Sequence, residues 1–232
     1  MSLPLLLAIL PPILIAYYIY KKDKYEKEPR SLIIKSFLFG CIGVIPAVFL
    51  ELFAEDIFTN AVSTHEADYP IGLFLYVFFG IAFVEEAVKY FFLKQYLFKK
   101  ADFNEPMDGI VYAVMISLGF ATVENIGYVL NHPGQEMSVA LIRMFTAIPL
   151  HAVCGVILGY FVGLAKFSEN KRILLYKGLF FATLVHGLYN YFLFLGHGII
   201  FSLIALIVAV YYSKKAINLH QEDSRIRNNN EI

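Results

Sequence analysis

Four successive apolar stretches of this sequence each carry residues able to do chemistry. Glu85, Glu86 and Lys89 lie in Phe83-Val84-Glu85-Glu86-Ala87-Val88-Lys89, and Glu124 and Asn125 close Gly119-Phe120-Ala121-Thr122-Val123-Glu124-Asn125. His151 opens His151-Ala152-Val153-Cys154-Gly155, and His186 and Asn190 share Leu184-Val185-His186-Gly187-Leu188-Tyr189-Asn190. Carboxylates, imidazoles and an amide together suit the activation of water. A Glu takes a proton as general base, and His and Asn steady the developing oxyanion. Two His and a Glu also satisfy a catalytic zinc, although no compact His-Glu-x-x-His motif is present. No cofactor is therefore favoured; if zinc is bound, Glu85, His151 and His186 are its candidates.

Spacing refines this reading. Lys89 is four residues from Glu85 and three from Glu86, so both pairs can meet on a helix. Adjacent glutamates project about 100° apart. The economical arrangement pairs one Glu with Lys89 and turns the other to the bundle interior; the bland alternative is a self-neutralised ion pair that only joins helices. His186 and Asn190 lie one turn apart and offer two aligned donors, which suit either an oxyanion or an interhelical hydrogen bond. His151, Gly155, Gly159 and Gly163 form one stripe, which reads as a close-packing face pointing His151 at other helices. Cys154, three residues from His151, raises a Cys–His nucleophile, but the small residues already explain that face. Taken by depth, the candidates spread over roughly a dozen Å at about 1.5 Å per residue.

The elements that must hold these residues are membrane helices. Of 232 residues, 59% are hydrophobic and 16% charged, against about 25% charged in soluble domains, and the mean hydropathy is +0.63. Seven stretches of near-spanning length occur, at 3–20, 32–54, 71–96, 109–130, 140–165, 173–195 and 198–213. The first contains Pro11–Pro12 and is expected to kink. Of the 19 lysines and arginines, all but Lys89 and Arg143 fall in alternate connections or the tail. Positive loops stay cytoplasmic, which gives an N-outside, C-inside all-α polytopic bundle. The 55–70 connection (Glu55, Asp56, His65, Glu66, Asp68) is then an exterior acidic loop. The opening segment has no basic region before its apolar run, so it is a span, not a cleaved leader. Residues 1–213 form the membrane domain, and 214–232 read as a cytoplasmic, disordered polar tail. Cys41 and Cys154 are small buried residues without a disulfide framework. No basic patch points to nucleic acid.

In combination and in order, Glu85-Glu86-x-x-Lys89, Asn104-Glu105-Pro106-Met107-Asp108-Gly109-Ile110-Val111-Tyr112, Gly119 to Asn125, His151 and His186-x-x-x-Asn190 resemble the PrsW family of bacterial membrane proteases. That family is distantly similar to the type II CAAX prenyl proteases, and the resemblance runs from about 80 to 191. It implies an intramembrane endopeptidase of the bacterial cytoplasmic membrane. Its substrate would be a single-span protein, an anti-sigma factor undergoing site-1 cleavage. It further implies Glu85 as the water-activating residue, Glu86 as partner of Lys89, and His186 with Asn190 at the oxyanion. Two departures stand out. The Phe-x-x-x-His motif reads Phe120-x-x-x-Glu124 here, and the paired-glutamate motif ends in Lys89 rather than in an Arg one residue later. Glu124 and His151 are thus both candidates for the missing imidazole's role. Asp108, opening the fourth span, reads as a helix N-cap. The competing function is a proton- or ion-coupled transporter using the buried Glu/His/Lys cluster. A retinal-type bundle is discounted because the last span has no Schiff-base lysine.

Overall fold

The computed structural model describes residues 2–61, 69–195 and 199–230, and these form helices without strands. Helix α1 is Leu3–Lys22, α2 Arg30–Ala61, α3 Tyr69–Leu75, α4 Phe83–Phe92, α5 Pro106–Leu130, α6 Glu136–Phe145, α7 Ala147–Lys166, α8 Lys171–Phe194 and α9 Ile199–Asn230. Two π-helical stretches, Tyr76–Ala82 and Leu93–Leu97, join α3 and α4 into one run and extend it to 97. The seven expected spans are recovered, with 140–165 divided between α6 and α7. Six helical segments are long and apolar enough to cross a membrane. The seventh, α8, has the length but carries the polar His186 and Asn190.

Helix α5 is the centre of the bundle, with α1, α2 and α7 packed round it. Its neighbours come close because glycines face it. A Cβ on Gly159 or Gly163 would collide with the carbonyl oxygen of Gly109 or Pro106, and one on Gly40 with that of Ile116. The glycine stripe of α7 is therefore the packing face expected, and it carries His151 into the interior. In lipid such close backbone approach replaces the hydrophobic drive that water would supply.

Several local expectations are corrected. Glu105, not Asp108, is the N-cap of α5; Asp108 sits at the third helical position, where its Oδ2 accepts the backbone N–H groups of Asn104 and Glu105 at 2.8 Å each. Helix α2 runs through Glu55 and Asp56, which are thus helical; His65, Glu66 and Asp68 lie outside the described residues. The chain breaks at Thr146 (φ −122°, ψ −70°) between α6 and α7. Pro149 lacks the N–H that would bond to Phe145, and its ring clashes with that carbonyl. The expected disordered tail is helical as far as Asn230. It has somewhere to pack: Ile217, His220 and Ser224 are buried. His220 stacks on Tyr160 at 4.4 Å with Nε2 3.1 Å from its carbonyl oxygen, and Gln221 donates to the carbonyl of Lys22.

That lysine-rich end of the bundle also buries carboxyl groups. Asp23 Oδ2 accepts the Glu28 N–H at 3.3 Å, and Tyr112 donates its hydroxyl to Glu28. Burial pushes Asp23 up to about 7, Glu105 to about 8 and Glu28 to about 11. For an acid raised in this way, the stabilisation is complete below its ordinary value and is lost as pH rises through the folded value.

Two outcomes follow from this packing. Gly159→Leu should abolish monodisperse folded protein in detergent gel filtration, whereas Gly127→Ala, with open space at its Cβ, should stabilise by up to about 1 kcal/mol. Melting in detergent should occur at lower temperature at pH 9 than at pH 5. Asp23→Asn should shrink that difference by a few degrees at most, since one group carries only part of it.

Candidate active site

The polar residues that the sequence scatters over four helices meet in one place. The π-helical stretch before α4 closes an i→i+5 bond from Phe83 N–H to Phe78 O, and it sets the rotation of the next turn. Glu85, Glu86 and Lys89 all turn inward from that turn, at 4%, 0% and 1% exposure. Lys89 Nζ donates to Glu85 Oε2 at 3.0 Å and to Glu86 Oε1 at 2.8 Å. Lys89 thus bridges both carboxylates, where a single partner was expected. It also lies 4.3 Å from the centre of the Phe120 ring, an attraction that adds to the two ion pairs.

Helices α7 and α8 add His151 and His186, both buried, with ring centres 5.3 Å apart and nearly perpendicular. The partners fix which nitrogen of each ring carries hydrogen. His151 Nε2 faces Glu124 Oε2 at 2.7 Å, and a carboxylate only accepts, so Nε2 donates. His151 Nδ1 faces the Lys89 ammonium at 3.1 Å, which only donates, so Nδ1 accepts. His186 Nδ1 donates to Glu86 Oε1 at 2.9 Å, which leaves Nε2 as the free position. Glu85 lies between the two proton-free nitrogens, 3.9 Å from His151 Nδ1, which Lys89 also contacts, and 3.9 Å from His186 Nε2. Each imidazole is therefore backed by a carboxylate on its far side and turned towards Glu85 on its near side.

A cavity of about 680 Å³ opens beside this cluster. Glu85, Glu124, His151, His186 and Asn190 line it, and Glu86 does not. Asn131 and His132, beyond the end of α5, also border it, so it lies towards the end opposite the lysine-rich connections. The sequence candidates thus converge, with one rearrangement. His186 commits Nδ1 to Glu86, so Asn190 alone of that pair offers the cavity a free amide wall. Cys154 is fully buried and points its thiol at the Ala182 carbonyl oxygen, 3.7 Å away, which leaves it no place as a nucleophile.

Two residues escaped the sequence reading. Glu51 lines the cavity from α2; its signal was a lone carboxylate inside an apolar run. Arg143 was visible only as a cation outside the positive loops. Its Nη2 forms an ion pair with Glu124 Oε1 at 2.8 Å, and its Nε donates to Asn125. Counting Glu85, Glu86 and Glu124 against Lys89 and Arg143, with neutral imidazoles, the cluster keeps one excess negative charge. Glu86 Oε2 is also buried without a hydrogen-bond partner. Lys89→Met should strip both glutamates of their counter-charge and cost about 3–5 kcal/mol of stability. Adding Glu85→Gln and Glu86→Gln should restore most of it, as read by thermal melting in detergent.

Comparison with known proteins identifies the family. Residues 28–213 match the family model described as PrsW family intramembrane metalloprotease. Protease PrsW of Bacillus subtilis (strain 168) is 35% identical over 187 residues, covering 80% of each chain. Protease PrsW of Geobacillus kaustophilus (strain HTA426) is 36% identical over 188 residues, or 80% of this chain and 77% of the relative. Protease PrsW of Clostridioides difficile (strain 630) is 31% identical over 232 residues, or 98% and 93%. No solved structure matches. With a family match over most of its length, relatives of its own size and a bundle of membrane-spanning helices, the chain belongs to the PrsW family and is an intramembrane protease of the bacterial cell membrane.

Proposed function

We propose that the Glu85–His151–His186 cluster hydrolyses a peptide bond of a single-span membrane protein, and that the substrate is an anti-sigma factor cleaved at its site 1. The observation that carries this reading is the convergence of Glu85, His151 and His186 on one wall of a cavity inside the membrane. The transport reading loses ground, since the family's members are named proteases.

The donor set fits a metal ion. Glu85, Glu86, His151 and His186 each offer a ligand atom, and these atoms lie within 4.8 Å of one another. That is somewhat wider than the ~3.4 Å edge of a zinc tetrahedron. The excess negative charge is what a cation would satisfy. His151 Nδ1, His186 Nε2 and Glu85 would hold it, and the carboxylates of Glu124 and Glu86 would orient the two rings from behind. Lys89 would have to release Glu85 and His151, which it now contacts. A zinc bound there would acidify a water and polarise the scissile carbonyl.

The chain's own residues do the rest. Of the carboxylates that line the cavity, Glu85 is the one facing both His151 and His186, so it receives the proton of the attacking water. Asn190, on the cavity wall one turn from His186, donates its amide to the oxygen that gains charge. Glu86, fully buried and shared by Lys89 and His186, holds both in place and does not meet substrate. The positive-inside pattern puts the cavity's side of the bundle outside the cell, where a site-1 cut falls.

Co-expression with a panel of single-span anti-sigma factors tests this directly. Wild type should cleave at least one, and Glu85→Ala at matched membrane levels should lower the rate by about 10²–10⁴-fold, the contribution of a positioned general base. Unchanged cleavage in the variant would remove Glu85 from the mechanism. Cleavage of other single-span proteins but of no anti-sigma factor would overturn the substrate assignment alone.

A further inference from the structure

Arg143 belongs to α6, apart from α4, α5, α7 and α8, which bear the cluster. Yet the last turns of α5 are shaped around its guanidinium. Glu124 Oε1 is ion-paired with Nη2 at 2.8 Å, Asn125 Oδ1 accepts from Nε, and the Tyr128 ring centre lies 3.7 Å from the guanidinium carbon. An ion pair, a hydrogen bond and a stacked face together fix the plane as well as the position of the group, which an arginine suits better than a lysine. The consequence is felt at Glu124. One of its oxygens is held by Arg143 and the other accepts His151 Nε2–H at 2.7 Å. Its side chain is 19% exposed and borders the cavity. Without the guanidinium it is free to turn to water, and His151 would lose one of the two partners that fix its tautomer, keeping only the Lys89 ammonium at Nδ1.

We propose that Arg143 is a positioning residue that clamps Glu124 as the acceptor for His151 Nε2–H and so keeps His151 Nδ1 directed at Glu85. This rests on the reading that His151 works through Nδ1. The clamp stands on a short helix. Helix α6 is ten residues long, meets α7 at the break around Thr146, and shows an exposed Phe145 and Ile142. Ile142, Arg143 and Thr146 also line the cavity, so a segment entering it touches the helix that sets His151.

The test needs neither substrate nor loaded enzyme. Imidazole ¹⁵N spectra of the metal-free, detergent-solubilised chain, with His151 assigned through His151→Gln, report the tautomer. Wild type should show Nε2–H, and Arg143→Gln a mixture of both tautomers. Arg143→Lys, which keeps the charge but not the planar fork, should lie between them, and it keeps the test usable if the Gln variant does not fold. Zinc affinity by chelator competition should fall about 10–100-fold in Arg143→Gln, as expected when a group behind a metal ligand is lost. The double variant with Glu124→Gln should bind no more weakly than Glu124→Gln alone. An unshifted tautomer, or additive losses in the double variant, would overturn the proposal. A tautomer shift in Arg143→Gln, beside a wild-type chain that takes up no zinc, would uphold Arg143 and contradict the metal part of the proposed function.

Discussion

The structure depends on one costly act, the burial of Lys89 with Glu85 and Glu86 in an apolar bundle. Isolated charges in such surroundings are unfavourable by several kcal/mol each, and they persist only where each finds partners of good geometry. Lys89 supplies that condition by contacting both carboxylates at 3.0 and 2.8 Å. The remaining valences recruit the rest of the site: His186 for Glu86, His151 for Lys89, Glu124 for His151 and Arg143 for Glu124. The result is a continuous network running from α4 through α8, α7 and α5 to α6. A half-satisfied version would be worse than an apolar core, which explains why so many charged residues are spent together and almost none singly.

The backbone answers the same demand. Glycines on α7 and α2 let those helices close onto α5, which draws His151 towards α4. Glu85 and Glu86 lie in the regular turn of α4 and project about 100° apart, and both are buried because α2, α5 and α8 all pack against that helix. Pro149 breaks the chain at Thr146, which frees α6 to lean on α5 and present Arg143. The irregularities of the bundle thus gather around the cluster, while α1, α2 and α9 run unbroken outside it.

Much of this was legible in the sequence. The seven helices were readable because hydropathy and the alternation of positive loops report on the bilayer as solvent. The meeting of Glu85, His151 and His186 was readable because ionisable residues cannot face lipid. What escaped depends on partners remote in sequence. Whether Lys89 serves one glutamate or two depends on the rotation of α4. The split of 140–165 turned on one proline whose effect was not weighed. The polar segment after 213 has the composition of a disordered tail, but His220 and Gln221 find partners on α7 and at the end of α1. Arg143 stood out only as an unexplained charge, since nothing in its neighbourhood announces that Glu124 is its partner. The family resemblance named the order of the motifs but not which nitrogen of which histidine is free.

The central claim is that the buried Glu/His cluster is a metallopeptidase centre. X-ray absorption at the zinc edge of the purified, zinc-loaded chain addresses it most directly. The account predicts a shell of nitrogen and oxygen at about 2.0–2.1 Å containing two imidazoles, one of which disappears in His186→Ala. A shell without imidazole, a sulfur ligand, or a spectrum unchanged in His186→Ala would contradict it.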